Sequence, residues 1–162
     1  MKRISAFFIA VMLLFGLSGV SEQILPAHEV ALPLYEILLS CDTFYNFDGV
    51  PDEAFAREAV YRLNERTATE GEPTPPEEAY KMLFSEGEYV FPEEPEEYLP
   101  ALPVQVEIEN AVESGIGTVI VSLRVQKDYG FGMEFWGYVD IHIMPDEAAP
   151  YGACVTRVFI PE

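Results

Sequence analysis

The sequence predicts an α+β fold, with two or three N-terminal helices packed on one face of a four-stranded antiparallel meander. Two observations carry this. Apolar residues recur at three- and four-residue steps in the first half and at two-residue steps from Val104 onward. These are the signatures of amphipathic helices and of half-buried strands. Between the two regimes lies a segment with four prolines, Pro92, Pro95, Pro100 and Pro103. Proline removes amide donors and restricts the backbone, so this segment is expected to be an irregular connector.

The chain begins with Lys2 and Arg3, then an apolar run from Ile4 to Leu17, then the small residues Ser18, Gly19 and Ser21. A basic start, a short apolar core and small residues read as a secretory signal, with cleavage after Ser21 or Ser18. The run is short for a bilayer-spanning helix, so no stable membrane span is expected once it is removed. Leu38-Leu39-Ser40-Cys41 has the look of a bacterial lipobox. The stretch before it carries Pro26, His28, Glu29, Pro33 and Glu36, which cannot serve as an apolar signal core. Residues 22–162 are therefore expected to form one exported α+β domain, enough chain to bury one modest core.

The first helix is expected after Pro33, which suits an opening turn, with Leu34, Ile37, Leu38, Cys41, Phe44 and Tyr45 as its apolar stripe. Asp48-Gly49 ends it. Pro51-Asp52-Glu53 starts a second helix with acids at the positive end of its dipole, and Phe55, Ala59 and Leu63 form its apolar face. A third starts near Thr74-Pro75-Pro76-Glu77, where Thr74 and Glu77 fit a capping box and Pro75 the first position; Gly87 is the expected stop. The acidic, proline-rich connector spans about 86–103.

In the second half Val104, Val106, Ile108 and Val112 alternate with Gln105, Glu107 and Glu109. The same alternation returns at Val119–Val125, at Phe135–Ile143 and from about Ala153 to Ile160. Glycine-bearing turns at 114–117 and 129–132 join the first three strands. In the simplest registers Val106 faces Val125, Ile108 faces Leu123 and Glu107 faces Arg124. Val125 would then meet Phe135, Val121 would meet Val139, and Arg124 would lie opposite Trp136 in a cation–π contact. A third hairpin that buries Cys154 and Val158 sets Arg157 opposite Asp140. Cys41 and Cys154 are then expected to meet where the first helix packs on the last strand. After export they would form a disulfide worth about 4–5 kcal/mol in the chain-entropy model.

Helices followed by an antiparallel meander resemble the cystatin-like rolls, in which the concave side of a bent sheet often holds a ligand. The resemblance covers element order alone. A Gln-x-Val-x-Gly inhibitory loop is absent: Gln105-Val106-Glu107-Ile108-Glu109 departs from it and lies inside a strand. There is no internal repeat.

The 162 residues carry 28 acidic and 9 basic side chains, a net charge of −19. Loss of the leader takes two bases and no acid, leaving −21. Residues 70–97 hold ten of the acids against Lys81 alone. Phosphate binding rests on Lys and Arg, so nucleic acid is excluded as a partner class, and adhesion to an anionic bilayer is disfavoured. Two histidines, His28 and His142, and no close cysteine pair argue against zinc. Asn46-Phe47-Asp48-Gly49 has the middle of a calcium loop, but Phe44 and Phe55 stand where the first and last acids belong. Neither Gly-x-Ser-x-Gly nor a phosphate-cradling glycine loop is present. No cofactor is expected.

What remains is the third strand, where Glu134, Trp136, Tyr138, Asp140 and His142 fall at two-residue spacing and are expected on one face. Trp136 and Tyr138, with Arg124, form the expected contact surface for an extracytoplasmic protein or glycan. Asp140 and His142 form the alternative, an acid–base pair of a small enzyme. The acidic connector would suit a basic partner. The expected role is binding or modulation of a partner after secretion, without catalysis.

Overall fold

The computed structural model describes residues 29–67, 71–90 and 98–162. The expected leader, residues 1–21, and residues 91–97 of the connector lie outside them. Three helices, α1 (Leu32–Leu39), α2 (Glu53–Thr67) and α3 (Pro76–Leu83), accompany five strands, β1 (Phe47–Asp48), β2 (Val104–Glu113), β3 (Val119–Asp128), β4 (Met133–Pro145) and β5 (Ala153–Phe159). The class is α+β as the alternation requires. The sheet is antiparallel, in the order β1-β5-β4-β3-β2.

The fifth strand is the element the sequence reading misses. β1 has two residues, pairing Phe47 with Val158 and Asp48 with Arg157. Such a piece has no alternation to detect. Beside it, the Gly49 amide donates to the Thr156 carbonyl at 2.9 Å. Phe84 bridges in parallel to Val155. Two fragments of the helical half thus close the free side of β5, and β2 is the long open edge.

Helix α1 stops at Leu39, earlier than its apolar stripe suggests. The Cys41 amide donates to Leu38 O at 3.2 Å, and Ser40 Oγ bonds Ile37 O at 2.7 Å, tightening the last turn. The next two amides leave the helix altogether: Asp42 and Thr43 donate to the Glu58 carboxylate on α2 at 3.0 and 2.9 Å. Phe44 and Tyr45 still pack inward, around Phe55 rather than along α1. Four rings, those of Phe44, Tyr45, Phe47 and Phe84, lie 5.7–5.9 Å from Phe55. Helix α3 begins one residue later than expected, with Pro75 in the cap position and no side-chain cap. Thr74 is held instead by Asn64, whose amide group both donates to and accepts from the Thr74 backbone.

One core serves helices and sheet. Leu34, Leu38, Phe55, Ala59, Leu63, Tyr80 and Leu83 are fully buried or nearly so, against Val121, Leu123, Val125, Val139, Ile141, Ile143 and Val155. Each such aliphatic side chain contributes about 1.5–3 kcal/mol relative to exposure. Among the described residues no helix is long and apolar enough to cross a membrane.

The registers follow the alternation up to three irregularities. Val106 faces Val125, Glu107 faces Arg124 and Ile108 faces Leu123 as expected. A bulge between Ile108 and Asn110 then shifts the pairing by one residue, so that Val112 lies opposite Ile120. In the second hairpin Phe135 faces Gln126, one residue out of the expected register from the turn onward, and a step between Val125 and Gln126 adds another, so Leu123 faces Val139 and Val121 faces Ile141. In the third, the strands leave the turn one residue out of the expected register, and a shift between His142 and Ile143 adds another, so Arg157 lies opposite His142 rather than Asp140.

The expected Cys41–Cys154 disulfide is corrected by the structure: both thiols are free and buried. Cys154 lies opposite Met144 in the shifted register, and its thiol donates to the Lys81 carbonyl of α3 at 3.4 Å. The Cys41 thiol turns back to Ile37 O at 3.5 Å. The last strand meets α3 where contact with α1 was expected, so the two sulfurs bond to different helices.

Candidate binding surface

The outer face of β3 and β4 begins at the hairpin between them. Asp128 ends β3, and its Oδ1 accepts from the amides of Gly130 at 2.7 Å and Gly132 at 2.9 Å. These bonds hold the Asp128 carboxyl below the usual range. Gly130 and Gly132 take φ of 99° and 102°, values that suit glycine at little cost. The turn is therefore built, and it points aromatic rings at solvent. Phe131 is 90% exposed, Tyr129 53%, Phe135 52% and Tyr138 53%. Met133 is exposed beside them.

Behind the tip the rings form a strip. Phe135 and Tyr138 meet at 5.3 Å in an edge arrangement, and the Arg124 guanidinium lies 5.4 Å from the Phe135 ring. Arg124 reaches Glu107 at 3.4 Å on its other side. Cross-strand neighbours thus fix an apolar strip with one cation set into it.

Trp136 is not part of this strip, against the expectation that it shares a face with Tyr138. The register step after Val125 turns it to the core side, where it is half-buried and packs edge-on against Phe44 at 6.2 Å. The expected Arg124–Trp136 contact is replaced by two others, Arg124 on Phe135 and the Lys127 amine 4.4 Å from the Trp136 ring. Phe135 takes the outward place that alternation assigned to Trp136. Two aromatics in succession leave the pattern unable to say which faces in.

Tyr138, Asp140 and His142 do share the outer face. Asp140 Oδ1 accepts from Ser122 Oγ at 2.6 Å. His142 makes no hydrogen bond to Asp140; burial, then the neighbouring Arg157, hold its pKa below the ordinary value, against opposite pulls from Asp140 and Asp48. Arg157 itself turns to Asp48 at 3.8 Å. The two residues are neighbours on a half-buried face without the bond that would make them an acid–base pair.

Sequence reasoning also missed a buried polar cluster. Glu58 and Arg62 are 1% and 3% exposed. The Glu58 carboxylate accepts from the amides of Asp42 and Thr43, from Thr43 Oγ1 at 2.7 Å and from Arg62 Nη2 at 3.0 Å. Arg62 also donates to Glu65 at 3.0 Å and to the Leu99 carbonyl at 2.6 Å, and it lies beside the packed rings of Tyr61 and Tyr98, 5.5 and 5.9 Å from their centroids. This cluster pins the end of the connector to α2. Spacing of i, i+4 on a helix reads as a surface pair, and nothing local in sequence marks it as buried. A cavity of about 280 Å³ opens beside it, bordered by Arg62, Arg66, Glu36, Glu65 and Leu102. Its charges are paired with one another, Arg66 with Glu36 at 2.8 Å and Arg62 with Glu65 at 3.0 Å. Among the described residues no group of three or more His, Cys, Asp or Glu side chains could hold a metal ion.

Compared with protein-family models, with curated proteins and with solved structures, the chain matches none.

Proposed function

We propose that the protein is an exported binding module that engages a protein partner through the β3–β4 hairpin and the strip behind it. Phe131, Tyr129, Phe135, Tyr138 and Met133 are the contact residues, with Arg124 as the polar anchor. The observation that carries this reading is the exposure of four aromatic side chains, two on an ordered turn and two on the strand behind it. Aromatic residues, Met and Arg are the types enriched at interfaces, and rigid rings lose little entropy on binding. Phenylalanine and methionine beside the tyrosines favour a protein over a glycan. The basic leader and short apolar core support export, and the strongly acidic chain supports solubility afterwards.

The test is retention of a partner from the native extracytoplasmic fraction on immobilised protein, comparing the natural chain with Phe131→Ser and Tyr138→Ala. Both variants are expected to fold and to lose retention by roughly ten-fold or more, the scale of an interface hot spot. Equal retention by all three would remove this surface from consideration.

A further inference from the structure

Lys127 stands where its row of β3 leads one to expect an aliphatic residue. Val119, Val121, Leu123 and Val125 face the core and are at most 4% exposed; Lys127 is next in that row and 6% exposed. A buried ammonium ordinarily finds a carboxylate. This chain has 28 acids, yet among the described residues the Lys127 side chain makes neither a hydrogen bond nor an ion pair. Glu134, its cross-strand neighbour, is exposed. Glu58 is occupied by four donors. The close partner of the amine is the Trp136 ring at 4.4 Å, which the bulge in β4 brings to the core side and Phe44 holds there.

We propose that Lys127 is a carbonyl-condensing amine, a site at which a small aldehyde or ketone is taken up as an imine beneath Trp136. The ammonium first releases a proton to water. The Nζ lone pair then attacks the carbonyl carbon, a C–N bond forms, and the resulting carbinolamine loses water to leave the C=N bond. No oxidant or reductant is needed. Lysines desolvated in apolar surroundings are nucleophilic because the charged form is disfavoured. Burial lowers the pKa of this amine, and it outweighs the opposite pull of Cys41, Asp42 and Glu58, the charged and titratable groups acting on it. Near-complete burial limits the ligand to a small carbonyl compound, and the indole face would pack on the new double bond.

The experiment uses the full chain with glycolaldehyde and cyanoborohydride, which reduces the imine to a stable secondary amine. Lys81, exposed on α3, is the internal reference. Peptide mass mapping at about pH 7 is expected to show Lys127 modified about ten-fold faster than Lys81, the preference disappearing in urea. The chain has one tryptophan, so Trp136 emission is expected to change at the rate of Lys127 modification and to stay constant in Lys127→Met. Modification of Lys127 no faster than Lys81, or at the same relative rate in urea, would overturn the proposal.

Discussion

Replacing Glu58 with alanine tests the buried cluster most directly. The change removes one acceptor from four donors: the Asp42 amide at 3.0 Å, the Thr43 amide at 2.9 Å, Thr43 Oγ1 at 2.7 Å and Arg62 Nη2 at 3.0 Å. Arg62 stays behind with a side chain 2% exposed. Removing one member of a buried pair costs about 3–5 kcal/mol; Arg62 keeps Glu65 and the Leu99 carbonyl, so the lower end of that range is expected. Against a total stability of about 5–15 kcal/mol that is a large fraction. Urea unfolding followed by circular dichroism measures it, as a lower midpoint at unchanged slope. Glu58→Gln keeps the shape and part of the bonding, so a smaller loss of about 1–3 kcal/mol is expected. Glu58→Met with Arg62→Met removes both charges and is expected to recover much of the stability lost in Glu58→Ala. The linkage to pH has a definite sign. Burial alone would raise the Glu58 pKa, but the Thr43 hydroxyl, the Thr43 and Asp42 amides and Arg62 together hold it below its ordinary 4.5. Its contribution is therefore complete above that value and is lost as pH falls through the lower folded one. A loss below about 1 kcal/mol in Glu58→Ala, or no recovery in the double variant, would mean that the Glu58–Arg62 pair does not hold this region together.

Phe55→Ala, at the centre of four rings, is expected to cost about 3–5 kcal/mol by the same assay. Gly87→Ala is expected to destabilise by about 1–3 kcal/mol, since φ is 88° and a new Cβ would lie 2.6 Å from the Tyr80 hydroxyl. Both thiols are buried and their pKa values raised, chiefly by burial; labelling with a thiol reagent is expected to be slow in the native state and fast in urea. Asp128→Ala is expected to speed hydrogen exchange at Gly130 and Gly132 while leaving the core strands protected.

The fold class was legible because a change of apolar period from helical to two is a large signal that tertiary context seldom reverses. The first hairpin was legible as far as Ile108, where apolar matching and the Glu107–Arg124 pair agreed. The remainder failed by one residue at the turns and by another at the bulges. A bulge adds one residue without changing composition, and a Phe135–Trp136 pair satisfies either sidedness equally well. The cysteine pairing inherited that failure, since it depended on the register of β5. Lys127 was hidden by its type, and Glu58 and Arg62 by helical spacing that ordinarily marks a solvated face. Tyr129 and Phe131 were visible, but inside a turn they were read only for their glycines. Aromatic rings in a tight turn have no packing role there, and that is the signal that finds the tip.

The step in β4 has a consequence for how the strand tolerates change. From Tyr138 to Ile143 odd-numbered positions face the core, whereas at Trp136 the even-numbered side chain does so. A complete substitution scan should therefore show alternating tolerance whose phase inverts across Gly137. Deleting one residue there would remove the inversion and force either the hairpin tip or the Tyr138–Ile143 row to the wrong side. Length, more than side-chain identity, is what this strand holds fixed.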